Sequence, residues 1–157
     1  MQFTASFSIL ASLVAFVAAE THTITFTNNC GRGTPTLVSQ DGAILSTGGA
    51  FTADGPIIGA IAYLQTGGCG LNGDSCTAVE TTLQNPTSPG AGSATDITLI
   101  PDHAFSVTSG FGYFDGCDGT GLDCTSASCP GAFTDPTNGD IVSCEADNVN
   151  LAITFCD

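Results

Sequence analysis

The chain contains no lysine and no tryptophan, and it has a single arginine, Arg32, and a single methionine, Met1. Fifteen acidic residues stand against that one fixed cation, giving a formal net charge of -14. Binding to phosphate backbones or anionic membranes draws on Lys and Arg to displace counterions, so nucleic acid and membrane surfaces are poor partners for this chain. Uncharged sugar polymers, cations and basic proteins stay open.

Other absences narrow the chemistry. There is no Gly-x-Ser-x-Gly elbow, and neither His22 nor His103 lies beside an obvious nucleophile, which argues against serine and cysteine hydrolases. No Cys-x2-Cys pair occurs and both histidines are far from any cysteine pair, which argues against zinc. Asp115, Asp118 and Asp123 occupy a Gly-rich stretch, but their spacing fails the EF-hand pattern and no bidentate Glu closes it. No metal and no cofactor are expected. There is no N-glycosylation sequon, so any sugar would be O-linked, with Pro86-Thr87-Ser88-Pro89 the best-placed segment.

Helical periodicity is also missing, because no stretch of about a dozen residues after Ala19 places apolar residues at i, i+3 and i+4. Period-two alternation takes its place, in Thr23 to Thr27 (Ile24 and Phe26 on one face) and in Asn150 to Phe155 (Leu151, Ile153 and Phe155 on one face). Further strands are predicted over 36–40, 43–47, 57–64, 79–83, 95–100, 104–108 and 111–114, separated by turn signals such as Asp41-Gly42, Gly48-Gly49 and Asn72-Gly73. Many short strands punctuated in this way read as an all-β sandwich or barrel. Residues 115–140, with three cysteines among Gly, Asp and Pro, read as an irregular loop held by disulfides.

Residues 1–19 carry no ionisable side chain, include the apolar run from Ile9 to Ala19 and end in Ala18-Ala19. This is the pattern of a secretory signal peptide cut before Glu20, and the run is short for a membrane span. Its removal leaves residues 20–157, the size of one compact domain. All eight cysteines follow the cut. An even number of cysteines bound for an oxidising compartment implies four disulfides and an extracellular, secreted protein.

The opening strand Thr23-Ile24-Thr25-Phe26-Thr27-Asn28-Asn29-Cys30 and the closing Ile153-Thr154-Phe155-Cys156-Asp157 resemble the two ends of thaumatin-like proteins. Between them, Thr66-Gly67-Gly68-Cys69-Gly70 is similar to that family's Thr-Gly-Asp-Cys-Gly segment. Val79-Glu80-Thr81-Thr82-Leu83 is similar to its Ala-Glu-Phe-Thr-Leu strand, and Thr95 to Ile100 to its Tyr-Asp-Val-Ser-Leu-Val strand. Gly116-Cys117, Cys124, Ser128-Cys129-Pro130 and Val142-Ser143-Cys144 follow in the family's order. The resemblance is to the small fungal secreted members that lack the disulfide-rich second domain, which would sit between Pro130 and Ile141.

That resemblance implies an antiparallel β-sandwich whose first and last strands are adjacent, most simply as a monomer. It also implies the pairs Cys30–Cys156, Cys69–Cys76 and Cys117–Cys144. Cys124 and Cys129, whose usual partners belong to the missing domain, are expected to pair with each other. Family members are associated with β-1,3-glucan binding and, in some, weak endo-β-1,3-glucanase activity at an acidic cleft. Glu80 matches the family's Glu, and Asp96 and Asp102 lie near two of its Asp positions; the family's Arg and one further Asp have no counterpart. The expected function is polysaccharide binding through a reduced acidic cleft. A weak glucanase and a non-enzymatic structural or effector-like protein are the alternatives.

If strands 79–83 and 95–100 are antiparallel neighbours, Glu80 and Asp96 face one side of the sheet, with Asp102 just past the strand end. Like-charge crowding should then raise at least one pKa. Tyr63, Tyr113, Phe111 and Phe114 are the aromatics available for stacking on sugar, although large aromatics more often fill cores.

Overall fold

The computed structural model describes residues 19–157. The predicted signal peptide therefore lies, apart from Ala19, outside the described residues. Those residues form eleven strands and no helix: β1 (His22–Asn28), β2 (Thr34–Val38), β3 (Ile44–Ser46), β4 (Phe51–Ala53), β5 (Ile57–Gln65), β6 (Ala78–Leu83), β7 (Ser93–Thr98), β8 (Ser109–Phe114), β9 (Gly121–Cys124), β10 (Val142–Cys144) and β11 (Asn150–Phe155). Two sheets result, a five-stranded one in the order β4-β1-β11-β8-β9 and a six-stranded one in the order β10-β7-β6-β5-β2-β3.

The alternation read from the sequence sets the inward faces. In β11, Leu151, Ile153 and Phe155 are fully buried while Ala152 and Thr154 are not. They pack with Ile24, Phe111 and Tyr113 of their own sheet against Leu37, Ala62, Leu64, Val79, Leu83 and Ile97 of the other. The core also contains polar groups, and they are paired with one another. The Tyr113 hydroxyl donates to Val142 O at 2.8 Å and meets Thr95 Oγ1 at 2.9 Å, and Thr95 Oγ1 lies 2.6 Å from Thr81 Oγ1. An unmade bond among buried hydroxyls would cost about 1–3 kcal/mol, so this chain of contacts ties the two sheets in one register.

The first and last strands do pair, and they run parallel: Ile24 to Asn28 align with Leu151 to Phe155, while the other strand pairings are antiparallel. The Cys30–Cys156 disulfide continues this pairing past the strand ends, where Asn29 N donates to Phe155 O at 2.9 Å. The other bridges are Cys69–Cys76, Cys117–Cys144 and Cys124–Cys129, and no described cysteine is free. All four expected pairs are present.

Two strand readings need correction. Residues 104–108 are not a strand, because their backbone bonds form no continuous ladder: Ser106 N donates to the Thr77 side chain and Val107 O accepts from it, while Ala104 N donates to Cys76 O and Thr108 O accepts from Cys156 N, just past β11. Within the stretch read as irregular, Gly121–Cys124 forms β9 on the edge of β8. Gly121 is packed so closely there that a Cβ would run into the Phe111 carbonyl. Gly121→Ala should open the β8–β9 edge and cost about 1–3 kcal/mol, measurable by urea unfolding.

The N-terminal residues just before β1 are also tied down. Glu20 accepts from Asn85 N at 2.6 Å and pairs with the buried His22 ring at 3.1 Å, and His22 Nδ1 meets Val149 O at 2.6 Å. The bond from Asn85 holds the Glu20 carboxyl below its ordinary 4.5, against an opposing effect of burial and with smaller help from the His22 ring. A depressed carboxylate contributes stability above its unfolded value, and the contribution is lost as pH falls through the lower folded value. Glu20→Gln should therefore cost about 1 kcal/mol near pH 6 and progressively less below pH 4, as read from urea melts at the two pH values.

Candidate functional site

β6 and β7 are antiparallel neighbours, and their register places Glu80 directly opposite Asp96. The flanking pairs Val79 with Ile97 and Thr81 with Thr95 are buried in the core, so by alternation Glu80 and Asp96 share the outer face of the six-stranded sheet. Cβ atoms of such directly opposed residues stand about 4.5–5.5 Å apart. Ile61 of β5 aligns with Glu80 on its other side.

Loops flank this face. The Cys69–Cys76 loop packs over Val38 and Tyr63, with the Tyr63 hydroxyl donating to Leu71 O at 2.9 Å. Beyond β7, the backbone at Phe133 docks onto the strand edge, with Phe133 N donating to Ile97 O at 2.8 Å and Leu99 N to Phe133 O at 2.7 Å. Both carboxylates are half-buried between these loops.

The electrostatic result is one-sided. Burial first, and the facing Glu80 carboxylate second, push Asp96 from 3.8 up to about 7. Arg32 is exposed in the turn before β2, and the only ion pair among the described residues joins His22 and Glu20. No cation therefore offsets the repulsion between Glu80 and Asp96. At acid pH the pair offers a neutral carboxyl, able to donate, beside a group able to accept.

Asp102 is on neither of the paired strands. It lies in the loop after β7, exposed, and its carbonyl accepts from Ser75 N at 2.8 Å, while the neighbouring His103 ring meets Gly73 O at 3.1 Å. The loop is thereby fastened to the Cys69–Cys76 loop. Of the three candidate carboxylates, two are brought into register and the third sits on the flank.

The aromatics are mostly committed elsewhere. Tyr63, Tyr113 and Phe111 are buried, the last two in edge-to-face contact with centroids 6.3 Å apart. Phe114 is half-buried at the end of β8 on the other sheet. Crevices of about 200–440 Å³ that open elsewhere on the described surface are lined by other residues than Glu80 and Asp96. Ile61 and the Phe133 segment, which border the pair, went unnoticed in the sequence; cross-strand register alone reveals them.

No protein-family model and no curated protein matches the chain. Solved structures do. A thaumatin-like xylanase inhibitor, TLXI, matches with a TM-score of 0.54 and 22% identity over 87% of this chain and 99% of its own. The fold is thaumatin-like. The protein elicitor MoHrip2 from Magnaporthe oryzae matches with a TM-score of 0.50 and 14% identity, over 88% of this chain and 100% of its own. At these identities the likeness establishes the thaumatin-like fold and leaves function to the residues. Both neighbours are covered almost end to end, so the whole of each matches this chain's fold.

Proposed function

We propose that the chain is a secreted extracellular protein, residues 20–157 acting as one monomeric thaumatin-like domain that binds an uncharged cell-wall polysaccharide, β-1,3-glucan, through the Glu80–Asp96 face. The observation that carries this reading is the half-buried carboxyl pair with no compensating cation. Such an arrangement opposes folding, and the same sheet position filled by Thr or Val would be more stable. Sugar hydroxyls both donate and accept, which complements a neutral carboxyl beside a carboxylate. Four disulfides support an oxidising compartment.

Binding is favoured over hydrolysis by the placement of the pair. Glycoside cleavage needs two carboxyl groups flanking the bond, with the sugar held and distorted between them, and here both project side by side from one sheet face. The decisive experiment is a pull-down of the purified protein on insoluble β-1,3-glucan and on chitin at pH 5, with release of reducing sugar assayed in parallel. Retention on glucan without sugar release is expected, with about tenfold less retention for Glu80→Ala/Asp96→Ala, the loss of about 1.4 kcal/mol. Sugar release abolished in that variant would establish the glucanase instead, and failure to bind either polymer would reject the reading.

A second reading follows from one neighbour, an inhibitor of a xylanase. Here a protein partner would meet the apolar crevice lined by Leu45, Phe51, Pro56 and Ile58, the last of which is 44% exposed. Inhibition of a basic glycoside hydrolase that survives Glu80→Ala/Asp96→Ala and is lost in Ile58→Asp would favour it.

A further inference from the structure

The connection between β6 and β7 ends in an exposed tip at Thr87, Ser88 and Pro89, and its backbone is pinned from the inside. Gln84 Nε2 donates to Ala91 O at 2.8 Å, and Glu145 accepts from Gly90 N at 3.2 Å and Gly92 N at 3.1 Å. Ala91 N donates to Ser88 O at 3.0 Å, which closes a turn with Pro89 and Gly90 at its centre and Gly90 at φ +83°. Proline followed by a left-handed glycine is what a type II turn requires. The bonds that shape this loop use neither the Thr87 nor the Ser88 hydroxyl.

Proline on both sides, Pro86 and Pro89, biases Ser88 toward extended backbone and keeps the Thr87-Ser88 pair out of helix. A crevice of about 440 Å³ opens beside the two hydroxyls, lined by Pro86, Thr87, Ser88, Pro89 and Glu145. Its walls combine apolar proline rings, which suit the C–H face of a sugar, with a carboxylate that can accept from sugar hydroxyls. Asn85-Pro86-Thr87 has the outline of an N-glycosylation acceptor, but the central proline bars it.

We propose that Thr87 and Ser88 are O-glycosylation sites, each hydroxyl accepting a hexose from a glycosyl phosphate donor as the chain passes through the secretory route. The proposal rests on the reading that the chain is secreted. In the transfer, the Thr87 or Ser88 oxygen forms a bond to C1 of the sugar, and the bond from C1 to the phosphate oxygen breaks. The phosphate leaves with the electron pair, and the hydroxyl proton passes to a base of the transferase. The fold needs Pro89, Gly90 and the Gln84 and Glu145 anchors at this loop, and it is indifferent to the hydroxyls it displays.

The test is expression of the chain in yeast behind the leader of a protein the host already secretes, in parallel with its own residues 1–19. Intact masses are measured, and modified residues are located by electron-transfer fragmentation. The expected result is secreted protein heavier by whole hexoses, with sugar on Thr87 and Ser88. Thr87→Ala/Ser88→Ala should return to the unmodified mass with an unchanged melting temperature, and each single variant should keep sugar on the remaining residue. Unmodified wild-type protein, or sugar mapped only to other residues, would overturn the proposal. If glycosylated protein appears only with the foreign leader, the secretion reading fails and the two sites stand.

Discussion

Replacing both Cys30 and Cys156 by alanine is expected to lower the stability of the folded chain by about 5 kcal/mol, the largest effect of any disulfide removal here. The two cysteines are 126 residues apart, against 5 for Cys124 and Cys129. Loop-closure entropy grows with the logarithm of that separation, so the shorter bridge should contribute about 2 kcal/mol. The long bridge also secures the parallel pairing of β1 with β11, on which β4 and β8 are assembled in turn. A loss near 5 kcal/mol corresponds to a fall of about 15 °C in melting temperature for a chain of this size. Urea unfolding of Cys30→Ala/Cys156→Ala beside Cys124→Ala/Cys129→Ala measures both quantities. Equal losses in the two variants would show that the entropic account does not govern this fold.

The features legible in the sequence were those with a short period or a local motif. Leu151, Ile153 and Phe155 alternate cleanly, as do Ile24 and Phe26, and both strands lie where the pattern puts them. The disulfide pairing followed from the order of the cysteines in a resembled family. Two of the three-residue strands, β4 and β10, were not legible, because Phe51–Ala53 and Val142–Cys144 are extended only by pairing with β1 and β7. Residues 104–108 carry a strand-like composition, but the Thr77 side chain takes the Ser106 N–H and the Val107 carbonyl that a ladder there would use.

The candidate site was legible to the same depth. Glu80 and Asp96 were placed on one face by alternation, but whether they stand directly opposed depends on the register of β6 against β7, which the loop of residues 84–92 and its anchors decide. A one-residue slip would have sent one carboxylate into the core. Asp102 lies past the strand end as the sequence indicates, but the bond from Ser75 N to its carbonyl, which fastens its loop to the Cys69–Cys76 loop, was not visible, being a contact between backbone atoms.

Asp96→Asn is expected to make the protein more stable than the wild type at pH 8 and to leave it nearly unchanged at pH 4. A carboxyl group raised from 3.8 to about 7 on folding binds its proton more tightly in the folded state. Stability is then full below the unfolded value and falls as pH rises through the folded one, so the wild type should weaken between about pH 4 and pH 7. After allowance for the solvent that still reaches the half-buried group, the gain in Asp96→Asn at pH 8 should be about 2 kcal/mol. Glu80→Gln removes the second cause and leaves burial, so its effect should have the same sign and be smaller. Glucan retention separates this from a purely structural role. If the neutral carboxyl is the form that meets sugar hydroxyls, wild-type retention falls as Asp96 ionises, and Asp96→Asn, neutral at every pH, keeps at pH 8 the retention it has at pH 5. Melting curves and pull-downs at these pH values, on the same two variants, check both halves. Wild-type retention that rises with pH would mean that the charged pair does the binding, and a stability difference independent of pH would mean that Asp96 does not titrate in the folded protein.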